Sequence, residues 1–176
     1  TASEPADPGR PELMRGTLAE LPQAVGVLGC GAGPGLAGAL PDLLHQLPRV
    51  IVDADALNAI AADHGLQALL RARSPGSTLL TPHPLEAARL LGRDTTILQT
   101  DRLAAAQDLA TRFGCSIVLK GSGSIVASPG ERPAICASGG PALATAGSGD
   151  VLAGWLGGLW AQQSTSSAHV IACAGV

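Results

Sequence analysis

The chain has 176 residues, of which 46% are hydrophobic and 14% are charged, and its net charge is −3 at pH 7. This length and apolar content suffice for a single domain with a buried core, and the low charge argues against binding to nucleic acids or membrane surfaces. The aromatic content of 2% also argues against a surface on which nucleic-acid bases stack.

The spacing of the cysteines and the length of the apolar stretches indicate the cellular location of the protein. The cysteines are scattered without the C-x-x-C spacing of a zinc site, so we expect reduced thiols in a cytoplasmic protein. No signal peptide or membrane-spanning segment is expected, because the longest apolar stretch, after Asp150, is short and rich in glycine. The chain starts at Thr1 rather than Met and stops at Val176 within an apolar pattern. We therefore expect residues 1–176 to be one partial domain, truncated at both ends.

The first predicted elements are a loop, a strand and a helix. Residues 1–12 are polar and rich in proline, which predicts a loop. The apolar run AVGVLGCG has the length of a strand, and GAGPGLAG follows it as a flexible loop. A helical period follows in LPDLLHQL, with Pro41 near the first turn of the predicted helix.

The middle of the chain repeats this alternation of strand and helix. RVIVDAD predicts a buried strand, and ALNAIAADHG predicts a short helix that ends at Gly65. STLLTPHP predicts a strand running into a turn, and LEAARLLG predicts a helix that ends at Gly92.

The last predicted elements complete an α/β pattern. Thr100 or Asp101 can cap the amphipathic helix RLAAAQDLATRFG, and Gly114 ends it. CSIVLKG predicts a strand, SIVASPGERPAICA predicts a hairpin turning at Pro129–Gly130, and the final third is helical. Such alternation predicts a mostly parallel sheet with helices on both faces.

Chemically informative residues follow the predicted strands. In open α/β sheets, ligands bind beyond the carboxyl ends of the strands, so the loops there should form one site. Each of these loops carries Gly, an acid, His or Lys: GAGPG, DADALN, TPHPLE, KGSGS and AGSGD.

The stretch AGSGD opens the last long helical segment. Small residues allow the backbone amides of Gly147, Ser148 and Gly149 to turn toward an anion at a helix N-terminus. Asp150 is then either a base or a first-turn acid that stabilises the helix, and the residues alone leave both interpretations open.

Several motifs, taken in order, resemble one enzyme family. VDADALNAIA, TPHPLEAARLLG, VLKGSGSIVA and ATAGSGDVLAG resemble the ADP- or ATP-dependent NAD(P)H-hydrate dehydratases of the ribokinase-like superfamily. The resemblance extends from Pro11 to the end of the chain. It implies a three-layer α/β sandwich whose mostly parallel sheet includes a β-hairpin. It also implies an enzyme that removes water from the hydrated nicotinamides NADHX and NADPHX, restores NADH and NADPH, and uses a nucleotide phosphate with Mg²⁺.

The resemblance also implies roles for particular residues. Asp150 would be the catalytic base and would also contact the substrate. Glu86 would hold Mg²⁺ through water. The remaining substrate contacts would be Gly33, Gly35, Asp55, Asn58 and His83, and the nucleotide would bind Lys120, Gly121, Ser122, Gly123, Ser124, Gly147, Ser148 and Gly149.

Each of these assignments has a purely structural alternative. Glu86 fits an exposed first-turn acid, His83 a solvated loop residue, and Lys120 a side chain that extends from a buried strand to water. Gly33 and Gly35 fit an ordinary turn. Asp53, Asp55 and Asn58, at and after the end of the second predicted strand, fit caps and turn formers, and of these only Asp55 and Asn58 are expected to face the site.

The function has alternatives as well. A small-alcohol kinase of the same superfamily, similar to hydroxyethylthiazole kinases, is one, and an inactive nucleotide-binding fragment is another. ADP is the expected phosphate donor, with ATP as the alternative. An NAD(P)H-hydrate epimerase, fused or separate, is an expected partner, and the protein is expected to form a homo-oligomer.

Overall fold

The computed structural model describes residues 5–7, 10–14, 24–33 and 35–176. Strand β1 (Pro5–Asp7) pairs antiparallel with β2 (Arg10–Met14). The prediction of a loop over residues 1–12 is therefore wrong for the described part of that segment. Both strands of such a pair are edge strands, where proline is tolerated because an amide that faces away from the partner strand makes no ladder hydrogen bond.

The core is a six-stranded sheet that runs in chain order. The first four of these strands are parallel, and the last two form an antiparallel hairpin at one edge. The turn at Pro129–Gly130 lies within this hairpin, as predicted, and the Glu131 amide donates to the Ser128 carbonyl there (3.2 Å). The strands are β3 (Val25–Leu28), β4 (Arg49–Val52), β5 (Thr78–Leu80), β6 (Ser116–Leu119), β7 (Ile125–Ala127) and β8 (Ala134–Ile135).

Helices cover both faces of this sheet. The first six lie on one face and the last two on the other. Within the described residues, none of the helices is long and apolar enough to cross a lipid bilayer. The helices are α1 (Leu36–Gln46), α2 (Ala54–Ala62), α3 (His64–Arg71), α4 (Pro84–Leu91), α5 (Thr95–Thr100), α6 (Arg102–Phe113), α7 (Ser148–Gln162) and α8 (Ala168–Gly175).

The alternation of strand side chains produces the layers. Val50 and Val52 of β4 pack into the core shared with α1–α6, whereas Ile51, between them, packs against α7 and α8. β6 repeats this pattern, with Ile117 and Leu119 on the first side and Val118 on the second. A strand buried on both faces reads as a continuous apolar run, as these do. The predicted α/β architecture, with a mostly parallel sheet and a hairpin, is confirmed.

Several helix ends match the predictions, but the predicted helix end at Gly65 and the predicted position of Pro41 do not. Gly92 and Gly114 end α4 and α6, and Asp101 caps α6 by accepting from the Ala104 amide (2.9 Å). The prediction that Gly65 ends a helix is wrong. α2 ends at Ala62, and Asp63 then caps α3 by accepting from the Gly65 amide (2.6 Å).

Pro41 occupies a different position in its helix from the one predicted. α1 already begins at Leu36, so Pro41 lies inside the helix rather than near its first turn. The Gly-rich residues before Pro41 were predicted to be loop, and the structure places several of them in the helix. Most of their side chains are small and exposed, so they give little apolar periodicity.

Candidate active site

An ion pair lies where β4, β6 and α7 meet. Asp53 directly follows β4 and is 1% exposed. Its Oδ1 lies 2.7 Å from Nζ of Lys120, which directly follows β6. A Cβ added to Gly149, in the first turn of α7, would lie 3.2 Å from Lys120 Nζ and 3.7 Å from Asp53 Oδ2. The ends of these elements therefore form one cluster of charges.

The sequence did not predict that Asp53 belongs to the candidate site. It was treated as a cap or turn former, and it does cap α2 by accepting from the Ala54 amide (2.9 Å). The same Oδ1 atom also accepts a hydrogen bond from Lys120 Nζ, so Asp53 both caps α2 and pairs with the cation. An acid placed directly after a buried strand needs a partner, because a buried carboxylate without one is costly. That position was the signal that could have identified it.

Backbone strain and close packing hold this region. Ala54, next to Asp53, has a φ of 48°, a conformation that side-chain-bearing residues seldom adopt. Gly29, at the end of β3, approaches so closely that a Cβ there would lie 1.9 Å from the Asp53 carbonyl oxygen. Such strained positions cluster at functional sites, where the surroundings enforce them.

Lys120 is anchored rather than extended into water. Its side chain is 19% exposed, its ammonium pairs with Asp53, and its amide donates to the Pro82 carbonyl (2.9 Å). Loop residues 121–124 continue from it and include the exposed Gly121 and Ser122. The ends of β5 and β6 are therefore joined beside the ion pair, which fixes where the cation lies.

Asp150 lies in the exposed first turn of α7, close to Cys30. Burial raises the pKa of the Cys30 thiol to about 11. A hydrogen bond to Asp150 and the negative charges of Asp53 and Asp150 add to this increase, while Lys120 opposes it. Cys30 thus remains a neutral thiol at neutral pH and lies beside the charged side chains of the cluster. The sequence did not predict this position for Cys30.

The N-terminus of α7 is open. Gly147 occupies the N-cap position and provides no side-chain cap. The Val151 amide donates to the Gly147 carbonyl (3.0 Å), but no residue in the described part of the chain accepts from the amides of Gly149 and Asp150. Unsatisfied first-turn amides attract anions, and the helix dipole strengthens that attraction. The Asp150 carboxylate likewise makes no capping hydrogen bond among the described residues.

A pocket beside this cluster gathers other predicted residues. Asp55 Oδ2 accepts from the Gly33 amide (2.8 Å), which ties the loop after β3 to α2. Both residues line a pocket of about 380 Å³ together with Leu36, Ala37 and Ala59. Gly35 is exposed at the N-cap of α1. Asn58 joins α2 to α4, because its Oδ1 accepts from Arg89 Nη1 (2.7 Å).

His83 and Glu86 form a closed first turn on α4. His83 Nδ1 accepts from the amides of Leu85 (3.1 Å) and Glu86 (3.4 Å). Glu86 Oε2 accepts from the His83 amide (2.8 Å), and Glu86 Oε1 lies 3.3 Å from His83 Nε2. Glu86 is 4% exposed, so the interpretation as a plain exposed acid does not describe it. The pair is a complete capping box.

The residues present do not fit a metal site formed by the protein alone. Both carboxylate oxygens of Glu86 are engaged within α4. In the part of the chain that the structure describes, no group of three or more His, Cys, Asp or Glu side chains is arranged to hold a metal ion. Mg²⁺ is often bound by substrate phosphates and only one or two carboxylates, so a nucleotide would have to provide most of its ligands.

Comparison with known proteins gives a consistent result. The model of the NAD(P)H-hydrate dehydratase family matches residues 15–176. The ADP-dependent (S)-NAD(P)H-hydrate dehydratase of Neisseria meningitidis serogroup B is 44% identical over 162 residues, which cover 88% of this chain and 54% of that protein. The chain therefore spans about half the length of this relative. Further relatives, such as one from Moorella thermoacetica (43% identical; 78% of this chain, 26% of that protein), are named bifunctional NAD(P)H-hydrate repair enzymes.

Solved structures agree with these matches. A ribokinase-like superfamily protein from Enterococcus faecalis V583 superposes with a TM-score of 0.68 at 28% identity, covering 85% of this chain and 51% of that one. The ADP/ATP-dependent NAD(P)H-hydrate dehydratase from Bacillus subtilis, co-crystallized with ATP/Mg²⁺, gives a TM-score of 0.51 at 26% identity and covers 71% and 52% of the respective chains. The expected ribokinase-like fold is confirmed.

Proposed function

The chain belongs to the NAD(P)H-hydrate dehydratase family, and from this premise we propose that the protein containing it dehydrates the S forms of NADHX and NADPHX to NADH and NADPH. ADP is the proposed phosphate donor, as in the name of the Neisseria relative. ATP is the second candidate, because the Bacillus relative was co-crystallized with it. The small-alcohol kinase is not favoured, since the family model and the named relatives are dehydratases.

One observation carries this proposal. Asp150 lies beside the open amides of the first turn of α7, and the Lys120–Asp53 pair lies directly under the same turn. An anion-binding helix end, a fixed cation and an exposed carboxylate are what transfer of a phosphoryl group to a hydroxyl requires. The Asp150 side chain makes no capping hydrogen bond among the described residues, so as a structural residue it would stabilise α7 only through its charge near the helix dipole.

The proposed reaction begins at the ring hydroxyl of the substrate. Asp150 accepts the hydroxyl proton while the hydroxyl oxygen bonds to the terminal phosphorus of ADP and the bond from that phosphorus to AMP breaks. The ring carbon–oxygen bond then breaks, and phosphate leaves. Loss of a proton from the neighbouring ring carbon forms the double bond of NADH or NADPH. Asp150 is the catalytic base of the first step.

Other residues bind and orient the reactants. We assign the transferred phosphate to the first turn of α7 at Gly147, Ser148 and Gly149, where the amides of Gly149 and Asp150 are open and that of Ser148 donates to the Thr145 carbonyl (3.2 Å). The rest of the nucleotide is assigned to Lys120 and the loop from Gly121 to Ser124. Because Asp53 holds the Lys120 ammonium in place, its charge is already positioned when phosphate arrives.

The substrate is assigned to the pocket next to this cluster. Gly33 and Asp55 line it, with Gly35 and His83 at neighbouring loop ends. Asn58 is assigned to the same side, although its amide oxygen is already bound by Arg89. The Asp55 carboxylate fixes the Gly33 amide, which supports a pocket wall that is formed before the substrate binds.

We also propose a partner and a location. An NAD(P)H-hydrate epimerase, fused or separate, is supported by the relatives named bifunctional repair enzymes. A cytoplasmic location is supported by the free thiols of all the cysteines. A homo-oligomer remains a prediction.

The full-length protein with NADHX, Mg²⁺ and ADP tests this function. The dihydronicotinamide absorbance should return, and one AMP should form for each NADH. A parallel reaction with ATP identifies the donor. Phosphorylation of a thiazole alcohol without any return of absorbance would replace the proposal with the kinase.

A further inference from the structure

The side chain of Arg102 holds the loop that follows β6. Arg102 is the first residue of α6, and its Nη1 donates to the Ser122 carbonyl (2.6 Å). Its Nη2 lies 3.3 Å from the carbonyl oxygens of both Leu119 and Lys120. One guanidinium thus gathers several carbonyls of the segment that carries Lys120.

These contacts set the direction of the amides in the loop. In a trans peptide the carbonyl and the amide hydrogen of the same unit point in opposite directions. Because the Lys120 and Ser122 carbonyls face Arg102, the amides of Gly121 and Gly123 face away from it. Neither amide donates to any acceptor among the described residues.

The glycines are required by this arrangement. Gly121 has a φ of 147° and Gly123 a φ of 64°, and side-chain-bearing residues rarely adopt either conformation. A Cβ on Gly121 would lie 2.7 Å from Arg102 Nη2, so the guanidinium occupies the space that a side chain would need. Arg102 Nε is buried and has no hydrogen-bond partner among the described residues.

We infer that Arg102 is a positioning residue for nucleotide binding: it turns the Gly121 and Gly123 amides outward to receive the phosphates of the nucleotide. The inference rests on the proposed function. Arg102 acts through the backbone and its guanidinium faces carbonyls, so it does not itself contact the phosphate. A planar fork with several donors can hold carbonyls on different residues at once, which a lysine ammonium on a flexible stem does less well.

Calorimetry on the full-length protein tests this inference, with ADP and adenosine as the two probes. Arg102→Met keeps the length of the side chain and removes the fork. It should weaken ADP binding roughly ten- to hundredfold, as expected for lost hydrogen bonds to charged oxygens. Adenosine, which has no phosphate, should bind the variant and the parent equally. Arg102→Lys should lie between Arg102→Met and the parent.

Arg112→Met is the matched control. Arg112 is on the same helix and also donates to a backbone carbonyl, that of Leu91 (3.3 Å), but not to the loop after β6. Its replacement should leave ADP affinity unchanged. In turnover assays, Arg102→Met should raise the KM for ADP while kcat at saturating ADP stays within a few-fold.

The outcomes separate this inference from the proposed function. Unchanged ADP affinity in Arg102→Met overturns the inference even when the parent restores NADH. Lost ADP affinity in Arg102→Met supports it even when the parent fails to act on NADHX. Where Arg102→Met does not fold, amide NMR of the parent decides: ADP should shift the Gly121 and Gly123 resonances, and unshifted resonances overturn the inference.

Discussion

Two helices, α4 and α7, begin at the carboxyl edge of the sheet, and their first turns are built differently. On α4, His83 and Glu86 satisfy the first amides and each other, so the turn is closed. On α7, Gly147 provides no cap, and the amides of Gly149 and Asp150 find no acceptor in the described chain. Each turn carries one acid. Glu86 is buried and engaged, whereas Asp150 is exposed and hydrogen-bonded by Cys30, which lies near the Asp53–Lys120 pair.

The difference indicates which turn is structural and which is chemical. A closed capping box stabilises a helix but leaves no amide for a ligand. An open turn gives up that stabilisation and keeps its amides available for an anion. The two acids looked alike in the sequence, because each lies in a helical first turn after a strand-end loop. Substitutions at the two turns should therefore have different effects, on catalysis and nucleotide binding at α7 and on stability alone at α4.

The first prediction concerns the acid of α7. Asp150→Asn should lower turnover of NADHX by about 10² to 10⁴, the usual contribution of a positioned base. ADP affinity should persist, because the amides of α7 are unchanged. Steady-state kinetics at saturating substrate measures this. Asp94→Asn, at the N-cap of the remote α5, is the control and should have no effect on turnover, since Asn caps as well as Asp. Turnover within a few-fold of the parent in Asp150→Asn would make Asp150 structural.

The second prediction concerns the ion pair beneath α7. Lys120→Met leaves the buried Asp53 carboxylate without its partner, and the free energy of unfolding should fall by about 3 kcal/mol. ADP affinity should fall as well, since a cation near phosphate is lost. Urea denaturation and calorimetry measure the two effects.

The matched double variant separates stability from binding. Asp53→Asn together with Lys120→Met removes both charges and should recover part of the stability without recovering ADP affinity. A single Lys120→Met variant with unchanged stability would mean that the pair does not hold this edge of the sheet.

The third prediction concerns the acid of α4. Glu86→Ala breaks the capping box and should lower the free energy of unfolding by about 1 kcal/mol while ADP affinity stays the same. Glu86→Gln keeps the box and should behave like the parent in denaturation and in ADP binding. A Glu86→Gln protein that is stable but needs much more Mg²⁺ for turnover would support the magnesium role instead, and α4 would then also be chemical.

The contrast also shows what the sequence could predict. The strand and helix alternation, the helix ends at Gly92 and Gly114, and the hairpin at Pro129–Gly130 follow from local residue preferences, and the structure bears them out. The Asp53–Lys120 pair could not be predicted in this way, because its members lie 67 positions apart and meet only through strand order. The small residues of the α7 turn predicted open amides, and this holds for Gly149 but not for Ser148, whose amide donates to the Thr145 carbonyl (3.2 Å). The closed turn of α4 was not predicted, because histidine is an unusual cap.

The fourth prediction concerns thiol reactivity and is the smallest effect. A hydrogen bond with the Ser138 hydroxyl lowers the pKa of Cys136, whereas burial beside the α7 turn raises that of Cys30 to about 11. The thiolate is the reactive form, so at pH 8 iodoacetamide should label Cys136 faster than Cys30. The rate at Cys30 should keep rising with pH toward 11, after the rate at Cys136 has levelled. Mass spectrometry of timed samples measures both, and equal rates would place Cys30 outside the charge cluster.

The central claim is that phosphate binds at the open turn of α7 and not at the closed turn of α4. A crystal structure of the full-length protein with ADP tests it most directly. The account predicts that the terminal phosphate accepts hydrogen bonds from the amides of Gly149 and Asp150, with Lys120 beside it and the His83–Glu86 contacts unchanged. A terminal phosphate bound at the first turn of α4, or anywhere out of reach of the Asp150 turn, would contradict the account.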